Sequence, residues 1–310
     1  MKIGIIDMGT NTFNLLIAEM DDEGGYNPLY RSKVGVKLGE GSFQKQYITE
    51  QAMQRAFVAL DAQINAIKNR YCDRILAFAT SAVRGASNGH EFVKKVKERF
   101  GINLHVIDGD REAQMIYNGV QLSGALSSEN ALIMDIGGGS TEFVAANEEE
   151  ITWKKSYELG VSRLLEKYHP DDPIKQETID EITSDLEEAI SEVFEVTNNE
   201  GILTMIGSSG SFDTFSDVLA HRSGTYEETV PLSTLEFDRE ALDLLLEELI
   251  HSTRTEREAM DGMAAMRVNM IVMSALLVRI VLSNTSIKNV KLSKYSLKEG
   301  VLFEVLKGNL

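Results

Sequence analysis

Residues 131–144 read Ala-Leu-Ile-Met-Asp-Ile-Gly-Gly-Gly-Ser-Thr-Glu-Phe-Val. The apolar run 131–134 predicts a buried strand, and 142–146 predicts the next one. Between them lie an acid, three glycines and two hydroxyls. Gly137, Gly138 and Gly139 lack a Cβ, so the backbone can take positive φ and bring its N–H groups close to an anion. Ser140 and Thr141 add hydroxyl donors to the same turn. Asp135, at the mouth of the strand, offers an oxygen ligand of the kind Mg²⁺ prefers. The combination points to phosphate, against the plainer alternative of a tight turn that needs glycine.

A second copy of this plan opens the chain. Residues 3–18 read Ile-Gly-Ile-Ile-Asp-Met-Gly-Thr-Asn-Thr-Phe-Asn-Leu-Leu-Ile-Ala. Asp7 matches Asp135 and Gly9 matches Gly137, while Thr10, Asn11 and Thr12 supply hydroxyls and an amide. Each copy leads to a further expected strand containing Leu-Gly, at 38–39 and at 159–160. A repeat at this separation predicts two domains of similar fold, with the paired hairpins closing on one cleft.

The 310 residues suffice for two domains, each with its own core. The hydrophobic share of 43% and charged share of 25% are those of a soluble globular protein. One cysteine, Cys72, excludes an internal disulfide. With no signal-peptide core at the start, it sets the expectation of a reducing, cytoplasmic location. Arg267, Asn269 and Arg279 interrupt the most apolar stretch, 264–282, so a buried helix is expected there and not a membrane span. The net charge of −17 argues against sequence-independent nucleic-acid binding. A polyanionic ligand then needs a local basic groove or a divalent cation. The basic clusters Lys94, Lys95, Lys97, Arg99 and Lys288, Lys291, Lys294 read equally well as solvated faces.

Along the chain, 21–28 reads as a turn and 29–38 as a third strand. Thr49 is the expected N-cap of a helix to about residue 70. A strand over 74–80, a loop over 81–85, a helix over 90–99 and a short strand over 104–107 follow. Asp110 is the expected N-cap of a helix to about residue 120. That puts Glu112 in the first turn, where the plain reading is a carboxylate complementing the helix dipole. The plain reading of Arg84 is a surface arginine. The second half adds an acidic helix over 178–196 and a strand over 201–206. The latter ends in Gly207, Ser208, Ser209, Gly210 and Ser211, a third small-residue turn opening a helix, and so an anion site in its own right. Helices over 238–251 and 261–282, a strand over 289–292 and a C-terminal helix over 296–307 complete the reading. Alternating elements indicate α/β domains with mixed sheets. Neither glycine-rich hairpin runs from strand directly into helix, as a dinucleotide fold requires.

The pairing of residues 6–12 with 134–142 resembles the exopolyphosphatase/guanosine pentaphosphate phosphatase family, of the actin, sugar-kinase and heat-shock-chaperone ATPase superfamily. The likeness continues through residues 80–84, 110–113, 207–210 and 298–302, and so covers essentially the whole chain in order. It implies two duplicated actin-like (ribonuclease H-like) domains around a cleft, 1–124 and 125–310, in a short two-domain form. It implies Glu112 as the carboxylate that orients and deprotonates the attacking water, and Arg84 as a contact to the transferred phosphoryl group. Asp135 and Glu142, with Asp7 nearby, match acids around an Mg²⁺ site. Gly9 to Thr12, Gly137 to Thr141 and Gly207 to Ser211 match phosphate-binding turns. Water attack on a phosphoanhydride needs these groups.

The favoured activity is Mg²⁺-dependent removal of the terminal phosphate of inorganic polyphosphate. Guanosine pentaphosphate is the nearest rival substrate, and a kinase or ATPase and a non-catalytic binder are the further alternatives. Nucleic acid and membrane are not expected partners, and a homodimer is left open. Three departures from the family pattern, Lys294-Tyr295 in place of a glycine turn, Lys298 for Arg and Asn269 for Asp, bear on substrate preference or interdomain contacts.

Overall fold

The computed structural model describes residues 1–21, 24–41, 46–230 and 232–310. The first half contains β1 (Lys2–Met8), β2 (Thr12–Met20), β3 (Tyr26–Gly35), α1 (Glu50–Lys68), β4 (Arg74–Ala79), α2 (Ser81–Arg84), α3 (Gly89–Phe100), β5 (Leu104–Val106) and α4 (Gly109–Ser123). The second begins with β6 (Ala131–Ile136), β7 (Thr141–Ala146), β8 (Ile151–Tyr157), α5 (Val161–Tyr168), α6 (Gln176–Ala189), α7 (Ser191–Asn199), β9 (Thr204–Ser208) and α8 (Ser209–Ser223). It ends with α9 (Tyr226–Thr229), β10 (Thr234–Glu236), α10 (Arg239–His251), α11 (Arg254–Glu258), α12 (Ile271–Asn284), β11 (Asn289–Ser293) and α13 (Leu297–Leu306).

The duplication is visible in strand order. The first sheet runs β3-β2-β1-β4-β5, and the second runs β8-β7-β6-β9-β11 with β10 added at its edge. In both, the first three strands form antiparallel hairpins and the next joins the first in parallel. The sheets are therefore mixed, as the twin hairpins predict, and the two halves repeat one plan, the duplication that the resemblance implies.

Three apolar layers hold it. Phe13, Leu15 and Ile17 of β2 pack with Phe57, Leu60 and Ile64 of α1 on the outer face of the first sheet. Met134, Phe143 and Met205 pack with Phe215, Leu245 and Leu276 outside the second. Between the sheets, Ile3, Ile5 and Leu16 meet Ile133, Val144 and Ile206 through α4 and α13. Those two helices cross closely. A Cβ on Gly300 would stand 1.7 Å from the Met115 carbonyl oxygen, and one on Gly119 would stand 2.1 Å from that of Ser296. Glycine is what permits the approach.

Several boundaries differ from the sequence reading. Asp108, not Asp110, caps α4: its backbone is extended and its carboxylate accepts the Arg111 N–H at 2.7 Å. Residues 81–84 form the one-turn helix α2 in place of a loop. The acidic helix breaks into α6 and α7 at the buried Ile190, whose backbone (φ −111°, ψ 19°) is not helical. The expected helix 261–282 starts only at Ile271, after a run of turns. Leu38-Gly39 and Leu159-Gly160 lie just past β3 and β8, not within them. Of the turn expected over 21–28, residues 26–28 already belong to β3, and 22 and 23 lie outside the described residues. α5, α9, β10 and α11 were not foreseen. No helix among the described residues is long and apolar enough to cross a membrane.

Candidate active site

The two hairpins are built alike to the level of single bonds. Gly9 N–H donates to the Thr12 carbonyl at 3.0 Å, and Gly137 N–H donates to the Ser140 carbonyl at 3.0 Å. Asp7 faces Asn14 in register, and Asp135 faces Glu142. The carbonyls of Thr10 and Asn11 accept from Gly39, Val36 and Lys37, and those of Gly137 and Gly138 accept from Val161 and Ser162. The segment after each third strand thus returns to hold its hairpin, and that is the physical content of the repeated Leu-Gly pairs.

None of Gly9, Gly137, Gly138 or Gly139 is at positive φ, contrary to the expectation. They serve close approach. A Cβ on Gly138 would stand 2.5 Å from Asn11 Nδ2 and 2.8 Å from Thr10 Cβ, so its absence lets one hairpin lie against the other. Ser162 Oγ completes the seam by donating to Asn11 Oδ1 at 2.9 Å. The strained residue is in the third turn: Ser209 sits at φ 71°.

The hairpin tips and the start of α8 enclose a cavity of about 120 Å³. Asp135, on its wall and nearly buried, accepts three hydroxyl bonds: Ser208 at 2.7 Å, Ser209 at 2.7 Å and Ser296 at 2.6 Å. Glu142 lies behind it and accepts from Ser156 Oγ at 2.6 Å. Burial, then the neighbouring Glu112 and Asp135 charges, pushes the Glu142 carboxyl well above the ordinary carboxylate range. Asp7 accepts from Asn14 Nδ2 at 2.9 Å, and burial pushes it up to about 6. Glu112 enters from the first turn of α4. Arg84 Nη1 donates to its Oε2 at 2.8 Å and to the Ile107 carbonyl at 3.0 Å. Burial raises Glu112 to about 7 even though Arg84 pulls it down. Four carboxylates so gathered repel one another and want a cation. Among the described residues no three acidic, His or Cys side chains form a protein cage for one. The donor set fits an ion that takes one or two carboxylates and completes its shell with water and phosphate oxygens, the habit of Mg²⁺.

Four side-chain cations line the same cavity. Lys298 Nζ donates to Glu299 Oε2 at 3.1 Å, and Lys294 Nζ donates to the Thr229 carbonyl at 2.6 Å. Lys33 and Arg267 stand at the start of α8. Two of the family departures, Lys294 and Lys298, are thus part of the cavity wall. Tyr295 instead reaches the first sheet, where Tyr26 Oη donates to its hydroxyl at 3.3 Å. Asn269 lies away from the site, beside a surface cavity with Arg257.

Gly9, Thr10, Asn11, Thr12, Gly137, Gly138, Ser140, Ser209 and Gly210, with Asp7, Glu112 and Asp135, all border the cavity. The other expected residues lie behind it. Thr141 gives its hydroxyl to the Leu159 carbonyl, Ser211 pairs with Ser274, and the Gly139 carbonyl accepts from Arg163. Gly207 lies under the Phe212 ring, and Ser208 bonds Asp135. Ser296, Lys33 and Arg267 are neighbours the sequence reading did not assign. The signal available for Arg267 was its place as a cation inside an apolar run.

The sequence model of the Ppx/GppA phosphatase family matches residues 16–309. The proteins named Exopolyphosphatase 1 of Mycobacterium tuberculosis (strain H37Rv) and Mycobacterium bovis are each 26% identical over 311 residues, covering 99% of this chain and 88% of theirs. A solved exopolyphosphatase from Cytophaga hutchinsonii is 35% identical, with a TM-score of 0.96 over 99% of this chain and 98% of that one. The Aquifex aeolicus Ppx/GppA member, 23% identical, shares the fold with a TM-score of 0.82 over 100% and 99% of the two chains.

Proposed function

Because the chain belongs to the Ppx/GppA phosphatase family, we propose that it is an exopolyphosphatase, hydrolysing the terminal phosphoanhydride of inorganic polyphosphate with Mg²⁺. The observation that carries this reading is Glu112, a buried carboxylate clamped by Arg84 at 2.8 Å and facing a small cavity between two donor-lined hairpins. Its pKa of about 7 suits a group that takes a proton near neutrality. The cavity, about 120 Å³, is below the ~300–1,000 Å³ of pockets for drug-sized ligands, as a slender phosphate chain requires.

Water oxygen bonds the terminal phosphorus as the bridging P–O bond breaks. Glu112 takes the water proton, and the shortened chain leaves with the bridging oxygen. Arg84 balances charge on the transferred phosphoryl oxygens, and the hairpin donors orient them. Asp135 and Glu142, with Asp7 beside them, would hold Mg²⁺, which neutralises phosphoryl charge when bound. The three serines on Asp135 keep its carboxylate in place. In this reading the proposed units 1–124 and 125–310 each contribute one hairpin, and the enzyme works in the cytoplasm.

A second reading, guanosine pentaphosphate, has its own observation. Past Arg267 lies a cavity of about 330 Å³, bordered by Val36, Met266 and Met270 and sharing Asn11 and Thr12 with the first. It is large and apolar enough for a nucleoside. Phosphate release from long and short polyphosphate, guanosine pentaphosphate and ATP, with Mg²⁺ and with excess chelator, separates the readings. Release from polyphosphate that stops with chelator is expected. Release from guanosine pentaphosphate alone would favour the second reading, and undiminished release in chelator would overturn the role of Mg²⁺.

A further inference from the structure

Glu299, in the first turn of α13, is a fully buried acid that the proposed mechanism leaves unused, and it does not border the cavity. Both of its oxygens are engaged. Oε1 accepts from Arg31 Nη1 at 3.3 Å, across from β3 of the first sheet. Oε2 accepts from Lys298 Nζ at 3.1 Å and from the Ser296 backbone N–H at 3.1 Å. The bond to Ser296 is half of a capping box. A capping box alone needs neither full burial nor a cation brought from another sheet. The segment that carries Glu299 is held on two further sides. The Arg31 guanidinium lies 5.3 Å from the centre of the Tyr295 ring, and Tyr26 Oη donates to the Tyr295 hydroxyl at 3.3 Å. From α4, the backbone of Gly119 meets the Ser296 carbonyl so closely that a Cβ there would stand 2.1 Å away. β3 and α4 both belong to the first half of the chain. What they hold is the residue that reaches the second sheet: Ser296 Oγ donates to Asp135 Oδ2 at 2.6 Å.

We infer that Glu299 is a positioning residue: gripped by Arg31 and Lys298, it fixes Ser296, and through Ser296 it fixes the Asp135 carboxylate. The inference rests on the reading of Asp135 as a residue that holds Mg²⁺. Two of the three hydroxyls on Asp135, those of Ser208 and Ser209, come from β9 and α8 of its own half. The third comes through a chain of contacts that starts on β3. The metal side of the cleft, built on the second sheet, is therefore set in part by the first. A carboxylate suits this role, because one group can accept from two cations and a backbone N–H at once.

The test is calorimetric titration of Mg²⁺ alone into the parent, Ser296→Ala, Glu299→Gln and Arg31→Met, with melting temperatures alongside. Loss of a group that orients a metal ligand costs ~10–100-fold in affinity, so Ser296→Ala and Glu299→Gln are each expected to weaken Mg²⁺ about tenfold. Arg31→Met, one contact further out and half-exposed, is expected to weaken it about threefold. The sign of that change is decisive. Removing a cation would by charge alone tighten the binding of another cation, so weaker binding reports position and not field. Once Ser296 is alanine, neither Glu299→Gln nor Arg31→Met is expected to weaken Mg²⁺ further, although Glu299→Gln still lowers the melting temperature. Imidodiphosphate, whose P–N–P bridge is not hydrolysed, probes the phosphate wall in excess chelator. Its affinity is expected to change by no more than about threefold in Ser296→Ala and Arg31→Met. Unchanged or tighter Mg²⁺ binding in Arg31→Met, or an equal loss with and without Ser296, would reduce Glu299 to an ion pair that only stabilises the fold. A loss of imidodiphosphate as large as that of Mg²⁺ would mean that the whole cavity loosens, and it too overturns the inference. If Glu299→Gln does not fold, Arg31→Met and Ser296→Ala carry the test by themselves. The two readings fail separately. A parent whose Mg²⁺ affinity depends on Arg31 through Ser296, but which releases no phosphate from polyphosphate, keeps the role of Glu299 and loses the activity. A parent that hydrolyses polyphosphate with Mg²⁺, while Arg31→Met binds the ion unimpaired, does the reverse. A parent that binds no Mg²⁺ removes both the metal and the role of Glu299.

Discussion

Glu112 is pulled two ways, upward by burial and downward by Arg84, and settles near 7. A carboxylate that only complemented the dipole of α4 would not need an arginine from a different element to hold it. Glu112→Gln keeps the shape and one acceptor for Arg84 but cannot take a proton. Turnover is expected to drop ~10²–10⁴-fold with imidodiphosphate affinity retained. Dipole loss alone would leave turnover near normal and cost less than about 1 kcal/mol. Turnover within a few-fold of the parent would remove Glu112 from the chemistry. Asp7 gives a prediction of opposite character. Burial raises it from 3.8 to about 6, so between those values the folded chain holds the proton more tightly than the unfolded one. Stability therefore falls as pH rises through that window, and above it the Asp7 charge destabilises the fold. Asp7→Asn keeps an acceptor for Asn14 and removes the charge. It is expected to raise the melting temperature at pH 7.5, by about 1–3 kcal/mol in stability, and to do little at pH 4. An equal effect at both pH values would show that charge is not the cause.

At the scale of elements, the hairpins owe their glycines to each other. The contact of Gly138 with Thr10 and Asn11 joins residues 127 or more apart in sequence, and no local turn preference requires it. Gly138→Ala must push the hairpins apart by moving backbone or turning Asn11 away from Ser162. The expected stability loss is about 1–3 kcal/mol, the usual range for overpacking. Turnover is expected to fall by at least about tenfold, because an ångström of misplacement at a reacting centre costs ~10² in rate. A folded variant with full turnover would mean that the hairpins do not need to touch. The α4–α13 crossing works at the same scale: Gly119 and Gly300 set the depth at which the two helices meet. One helix begins beside Glu112 and the other beside Ser296, so their crossing relates the proposed base to the Asp135 cradle.

Across the whole molecule, charge and function conflict in a way that has a measurable consequence. The protein carries −17 overall and gathers four more-or-less buried acids at one site, yet the proposed substrate is a polyanion. Attraction must then be local, from Lys33, Arg267, Arg84 and the amide donors, against a repulsive background. Salt screens both, but the short-range cation contacts dominate once the ligand is seated. Affinity for imidodiphosphate is expected to weaken as ionic strength rises at fixed pH and Mg²⁺. Affinity that stays flat, or strengthens, would count against attraction by the cations that line the cleft.

The pattern of the chain by itself determined the twin hairpins, the mixed sheets and the pairing of Asp7 with Asp135, because alternation, glycine and repetition are local signals. Glu112 and Arg84 became legible only through resemblance, since a first-turn glutamate and a loop arginine are ordinary features taken alone. Tertiary structure decided what local signals do not carry. Ser296 reaches Asp135 from 161 positions away, and Lys33 meets Arg267 across two sheets. The chain's own pattern placed Asp110 as the cap of α4, whereas the extended backbone at Asp108 made that residue the acceptor. Sequence periodicity records which face of an element is buried. It does not record which element covers that face, and both the hydroxyl cradle and the cation pair exist only because α13, α8 and β3 converge on one cavity.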